Sequence, residues 1–170
     1  IRARLAADVR TPAIVRASAR SVRPSAAGAG AATPSMRLSA HRCSAPERPA
    51  IRAVLSHRDL ELVGVIVASK EKVGLDAGAI AGVGATGVIA TDNWRSVLDA
   101  KPDAVVYTAT ADIRPVEAMA DLLACLEAGI NVVSTAFYAY LNPASSPQEA
   151  LQPVVDACAR SGASLFVSGI

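Results

Sequence analysis

A chain of 170 residues is enough for one ordinary domain with a core and hardly enough for two. With 52% hydrophobic and only 4% aromatic residues, that core is built from Ala, Val, Leu and Ile, and no apolar run approaches the ~20 residues of a membrane helix. Three scattered cysteines (Cys43, Cys125, Cys158) and two histidines (His41, His57) form no C-x-x-C pair and no zinc pattern, so no metal site is expected and a reducing, cytoplasmic setting is the simplest.

The net charge of +2 hides an asymmetry. Residues 1–50 carry nine Arg, no Lys, and only Asp8 and Glu47 as acids, a net of +7; residues 51–170 carry a net of −5. The first stretch, with "SAAGAGAATPS" at its centre, has no sustained apolar period of 3.6 or 2 and offers no face to bury. An Arg- and Ser-rich leader and a basic arm are two readings of it, but the lack of Lys and of interleaved aromatics argues against nucleic acid. The favoured reading is a disordered or foreign segment over 1–46, of the kind GC-rich DNA yields in a wrong frame.

From Arg48 onward the pattern is regular. In "RPAIRAVLSH" Ile51, Val54 and Leu55 mark one helical face, and "ELVGVIVAS" reads as a strand buried on both faces. A glycine loop leads to the short strand "VIAT", then to the helix "NWRSVLDA" with Asp92 as N-cap and Lys101-Pro102 as its stop. "DAVVYTAT" is a second buried strand, and Pro115 and Gly129 bracket the helix "PVEAMADLLACLEA". "INVVST" is the next strand; Ser146-Pro147 opens a helical stretch to about Ser161, kinked or restarted at Pro153, and "ASLFVSG" is the last strand. Strands alternating with helices of this length predict an α/β domain: a Rossmann-like, doubly wound, mostly parallel sheet whose ligands bind beyond the strands' carboxyl ends.

Gly82, Gly84 and Gly87 show the G-x-G-x-x-G spacing of a dinucleotide turn. Such a turn works by leaving a strand and entering a helix, whose free N–H groups then face the phosphates. This one runs from a loop into the strand at Val88, so it reads as a decoy. The turn belongs one helix earlier, where "AHRCSAPE" holds no glycine and follows no apolar strand. The fold is therefore expected to lack its first strand and its glycine turn.

The blocks "RPAIRAVLSHRDLELVGVIVASKEKVGLDAG", "GATGVIATDNWRSVLDAKPDAVVYTAT" and "CLEAGINVVST" resemble the N-terminal half of NAD(P)H-dependent oxidoreductases of the dihydrodipicolinate-reductase-like and native amine dehydrogenase family. The resemblance covers about residues 47–170. It implies an incomplete NAD(P)-binding Rossmann domain over 47–170, a T-G-x-x-G turn displaced by "SAHRCSAPE", and a substrate and dimerisation domain absent from this chain. A nicotinamide dinucleotide is then the expected partner, with a small-molecule substrate and a homo-oligomer expected only of the intact parent.

At the end of the second strand an NAD-specific domain places an acid on the ribose. Here Ser69, Lys70 and Lys72 flank Glu71, and a hydroxyl with two ammonium groups suits a 2′-phosphate, favouring NADP over NAD. Thr108, Ala109 and Thr110 end the strand that in the resembled family runs past the nicotinamide; small residues permit that approach and equally suit a tight turn. The resemblance puts Tyr138 where the amine dehydrogenase branch has the Glu of R-G-E-F, so an amine-handling carboxylate is missing there. Tyr138 is the one catalytic candidate, able to line a pocket or donate a proton, and a packed aromatic is the alternative. Asp112, Arg114 and Glu117 read as capping and surface charges, and His57 as a surface helix end.

Two functions remain. One is a fragment of an NAD(P)H-dependent oxidoreductase acting on an imine or carbonyl, inactive by itself; the other is a non-catalytic Rossmann remnant with weak or no nucleotide binding.

Overall fold

The computed structural model describes residues 13–17, 39–42, 47–109 and 111–168, with the backbone alone for 13–17, 39–42, Glu47 and Val97. In chain order these form β1 (Ala13–Ala17), β2 (Ser39–Arg42), α1 (Glu47–Ser56), β3 (Leu62–Ile66), a 3-10 turn at Lys70–Lys72, α2 (Ala77–Ala81), β4 (Ala90–Thr91) and α3 (Trp94–Asp99). There follow β5 (Ala104–Tyr107), α4 (Pro115–Glu127), β6 (Asn131–Ser134), 3-10 turns at Tyr138–Tyr140 and Pro143–Ser145, α5 (Gln148–Ser161) and β7 (Leu165–Val167).

The strands build one sheet of order β4-β3-β1-β2-β5-β6-β7. The pairs β3–β4, β2–β5, β5–β6 and β6–β7 are parallel, as the βαβ crossovers demand. The sheet divides the core in two. Val65 on β3 and Val67 just past its end face the side covered by α1 and α2, packing with Ile51, Val54, Ile80 and Ala81. Ile66 faces the other side, where Val105, Tyr107 and Val132 meet Leu122 and Leu126 of α4 and Val154 and Ala157 of α5. This alternation along a strand buried on both sides is the period-2 geometry of a central strand. It buries Ile51 and Val54 of the expected α1 face but leaves Leu55 exposed.

The expectation for residues 1–46 is corrected at two places. Ala13–Ala17 and Ser39–Arg42 lie in the sheet, between β3 and β5. β2 runs parallel to β5, with Ala40 opposite Val106 and His41 opposite Tyr107, and so fills the slot expected to be empty. β1 is antiparallel to β2 and β3, with Val15 opposite Val65. The physical reason is the backbone: without an intervening strand, β3 and β5 would each present a row of unpaired N–H and C=O groups at the centre of the sheet. The remainder of 1–46, including the stretch where a glycine turn would stand, lies outside the described residues.

Helix ends differ from expectation by small, explicable steps. α3 is capped by Asn93, not Asp92: the Asn93 Oδ1 accepts the Ser96 N–H at 3.4 Å. Lys101 then takes a left-handed φ of 49°, which ends the helix before Pro102. Pro115 opens α4, and past its end Gly129 donates to Leu126 O while Ile130 donates to Cys125 O, a paired closure that needs the φ of 78° glycine supplies. α5 runs through Pro153 from Gln148 to Ser161 without restarting.

Candidate functional site at the carboxyl ends of the strands

Because β2, β3, β5, β6 and β7 are mutually parallel, their carboxyl ends share one edge of the sheet, where ligands of such folds bind. The described ones among the expected site residues follow these strand ends. Ser69, Lys70 and Lys72 leave β3 in a single 3-10 turn closed by the Lys72 N–H donating to Ser69 O at 2.9 Å. Lys70 is exposed, and Ser69 and Lys72 are half-buried.

After β5, Thr108 is half-buried, and its Oγ1 is buried with no hydrogen-bond partner among the described residues. A polar oxygen left so at a strand's carboxyl end fits a ligand that supplies the missing bond. Ala109 differs: its methyl is 1% exposed and belongs to the core under α4, so it offers a ligand only backbone. Thr110 lies outside the described residues.

The loop after β5 and the segment after β6 face each other across a cavity of about 370 Å³. Ala111, Asp112, Pro115 and Met119 form one wall, and the segment Ala136–Tyr140 forms the other. Tyr138 lines it, 43% exposed. Three hydrogen bonds and a ring contact hold the second wall in place. Buried Ser134 Oγ donates to Tyr107 O and accepts the Ala136 N–H, each at 2.9 Å, locking the turn that leaves β6. Phe137 packs on Tyr107 with ring centroids 4.9 Å apart, and the Tyr140 hydroxyl donates to Ala150 O of α5 at 3.1 Å.

Asp112 and Glu117 are exposed, as surface charges should be, but Arg114 is not simply one of them. Its Nη1 is buried, and its charge acts on Asp121 and Tyr107 inside. Burial raises the Asp121 carboxyl above its ordinary value, opposed by the Arg114 guanidinium. Burial and the Asp121 charge push the Tyr107 phenol far above its usual range. Sequence reading missed this cluster, although Arg114, at the N-cap of α4, stands seven residues before Asp121.

The glycine loop is organised around an anion, but one of the chain's own. Asp76 Oδ1 accepts the Gly78 N–H at 2.7 Å, and Oδ2 accepts the Gly87 N–H at 2.7 Å. Asp76 also caps α2, a five-residue helix that sequence reading took for loop. The N–H groups that a phosphate would need are thus turned to a carboxylate.

A mostly parallel α/β sheet with its candidate ligand loops gathered at the strands' carboxyl ends is the architecture of a Rossmann-like nucleotide-binding domain. Residues 48–139 match the family model "Dihydrodipicolinate reductase, N-terminus", and the chain belongs to that family, one of NAD(P)-dependent dehydrogenases. It is 45% identical over 124 residues to a protein described as amine dehydrogenase from Streptomyces virginiae, covering 72% of this chain and 34% of that protein. Among solved structures it is similar to the amine dehydrogenase from Mycobacterium smegmatis, at 30% identity and a TM-score of 0.55, over 62% of this chain and 31% of that one. The chain thus spans about a third of the length of these relatives. Among the described residues no helix is long and apolar enough to cross a membrane, and no group of three or more His, Cys, Asp or Glu could hold a metal.

Proposed function

We propose that residues 47–170 are the dinucleotide-binding part of an NAD(P)H-dependent oxidoreductase acting on an imine or carbonyl. The observation that carries this reading is the placement of the Ser69–Lys72 turn, the Thr108 hydroxyl and the cavity beside Tyr138 along one edge of the sheet. The family match begins at residue 48, at the start of α1, while the sheet takes in β1 and β2 ahead of it. Free Cys125 and Cys158 suit a reducing, cytoplasmic setting.

In this reading Ser69, Lys70 and Lys72 hold the adenosine end, and their hydroxyl and ammonium groups favour the 2′-phosphate of NADP over NAD. Thr108 and the Ala109 backbone approach the nicotinamide side. Bound there, the dinucleotide supplies a hydride. The chain's part is to orient the ring, to exclude water with the apolar walls of the cavity, and to offer the Tyr138 phenol as hydrogen-bond donor at the cavity mouth.

A second reading, a remnant that binds nucleotide weakly or not at all, is favoured by one feature. The Cys43-Ser44-Ala45-Pro46 stretch before α1 holds no glycine, and most affinity for a pyrophosphate comes from a glycine turn and a helix N-terminus. Backbone amide NMR of the chain titrated with NADPH and with NADH separates the two. Shifts at Ser69–Lys72 and Thr108–Ala109, larger for NADPH, support the first reading and are expected only at weak, near-millimolar affinity. No shift with either nucleotide leaves the remnant. Lys70→Gln with Lys72→Gln should lower NADPH affinity about two- to fivefold and leave NADH unchanged, since solvent-screened contacts of this kind are worth at most ~1 kcal/mol.

A further inference from the structure

We infer that Arg114 and Asp121, with Tyr107, are positioning residues for the cavity: a buried charged cluster that sets the wall carried by α4 against the wall that follows β6. Their role is the setting of the two walls, whichever ligand lies between them.

Each member of the cluster is joined to a wall. Tyr107 closes β5, is 0% exposed, and lays its ring 4.9 Å from that of Phe137 in the second wall. Arg114 immediately precedes Pro115 of the first wall, and its N–H donates to Ala111 O at 3.1 Å, closing the turn that forms that wall. Asp121 lies two residues past Met119, the wall residue whose Sδ is 4.0 Å from the Tyr140 hydroxyl of the opposite wall.

Arg114 is a costly choice for its place. It is the N-cap of α4 and makes no side-chain capping bond, at the positive end of the helix dipole, where Ser, Thr, Asp or Asn would stabilise the helix. A surface guanidinium would turn to solvent. This one turns inward: its Nη1 is buried without a hydrogen-bond partner, and so is Asp121 Oδ2. The two are held by charge through an interior where screening is weak. The groups that act on the Asp121 carboxyl are Arg114 and Glu117 on its own helix and Tyr107 from β5, and the Cys125 thiol feels its charge one turn on. Burial raises that carboxyl more than the guanidinium lowers it, so ionising Asp121 costs stability rather than adding it. What the cluster supplies is geometry. Apolar contacts at Pro115 and Met119 slide at little cost, whereas buried opposite charges favour one arrangement.

The test uses the full chain, labelled with ¹⁵N and ¹³C, and the NOE between the Met119 methyl and the Tyr140 ring, which reads the separation of the walls. The parent should show it. Arg114→Met combined with Asp121→Leu removes both charges; it should keep or raise the urea midpoint and lose the NOE. In the parent the Phe137 and Tyr138 amides should titrate with a midpoint above 3.8, and Asp121→Asn should abolish that titration. Arg114→Gln should raise the midpoint, because the guanidinium holds it down, and Glu117→Gln should lower it. Arg114→Lys, which keeps the charge, should retain both titration and NOE. Four results overturn the proposal: no NOE in the parent, an NOE that persists in the double variant, a double variant with a lower urea midpoint, or Phe137 and Tyr138 amides whose titration is absent or survives Asp121→Asn. Where a single substitution unfolds the chain, the double variant decides alone.

Discussion

Thr86 makes three contacts with the carboxylate of Asp76. Its N–H lies 3.0 Å from Oδ1 and 3.2 Å from Oδ2, and its hydroxyl lies 3.1 Å from Oδ1. With Gly78 and Gly87 added, one side chain ties the start of α2 to the Thr86–Gly87 segment before β4. The backbone bond from Thr86 is the leading cause of a carboxyl held below its ordinary 3.8, with partial desolvation opposing and the Gly78 and Gly87 bonds adding to the lowering.

The sign of the pH dependence follows. A carboxyl depressed in the folded chain stabilises it fully above pH ~4, and that contribution is lost as pH falls through the lower, folded-state value. Hydrogen exchange at the Thr86 and Gly87 amides should therefore stay slow down to about pH 4 and accelerate below it, beyond the intrinsic pH effect. In Asp76→Asn both amides should exchange faster above about pH 4, with the difference from the parent closing as pH falls further. Unchanged protection in that variant would show that the loop holds itself without the carboxylate.

Gly78 in α2 and Gly84 in the loop after it should respond differently to alanine. A Cβ at Gly78 would stand 2.0 Å from Gly84 O and 2.9 Å from Asp76 Oδ1, so the loop would have to move away. Gly78→Ala should cost about 1–3 kcal/mol, read as a lower urea midpoint. At Gly84 nothing lies within 4 Å, and Gly84→Ala should fall within about 0.5 kcal/mol of the parent. Gly84→Ala should also leave any NADPH affinity unchanged; a loss beyond tenfold, ~1.4 kcal/mol, would mean that this loop does meet the phosphates.

Ser134→Ala removes both bonds that lock the start of the cavity wall. The Ala136 N–H, buried at the turn, loses its acceptor, and such a group costs about 1–3 kcal/mol. Chemical denaturation should show that loss, and the amide shifts of Phe137 and Tyr138 should move with it. Ser134→Thr, which keeps the hydroxyl, should recover part of the stability.

Cys125 should be chemically silent in the folded chain. Burial, with a smaller push from Asp121, raises its thiol to about 12, so almost no thiolate exists at pH 8. Iodoacetamide should label half-buried Cys158 in the native state and reach Cys125 only after denaturant is added. Equal labelling rates would mean that α4 opens far more readily than its packing suggests.

The parts of the fold legible in the sequence are those whose residues are chosen by two-sided burial. "LVGVI", "AVVY" and "NVVS" read as strands and are β3, β5 and β6. "AIVRA" and "SAHR" carry no such pattern, and their strand form follows from neighbours far along the chain, which local periodicity cannot report. α2 was hidden because glycine at 78 argues for loop; the signal present was Asp76 as cap with Ala77, Ile80 and Ala81 at helical spacing. At the site, chain order was enough to put Ser69, Lys72, Thr108 and Tyr138 at one edge, since parallel strands all end there. What it did not show was depth: that the Ala109 side chain turns into the core, and that Arg114 reaches inward to Asp121.

The sheet order also sets the sequence in which the molecule can assemble. From β5 to β7 each strand pairs with the next one along the chain, through α4 and α5, so that half closes with short loops. The centre does not: Val15 must find Val65, and Ala40 must find Val106. Such distant pairings carry the larger loop-closure entropy and come late. The β5–β7 half is then the nucleus, and the two N-terminal strands are a late insertion into its finished edge. Pulse-labelled exchange during refolding should protect Val132 and Leu126 well before Val65; simultaneous protection would mean that the sheet condenses as one unit.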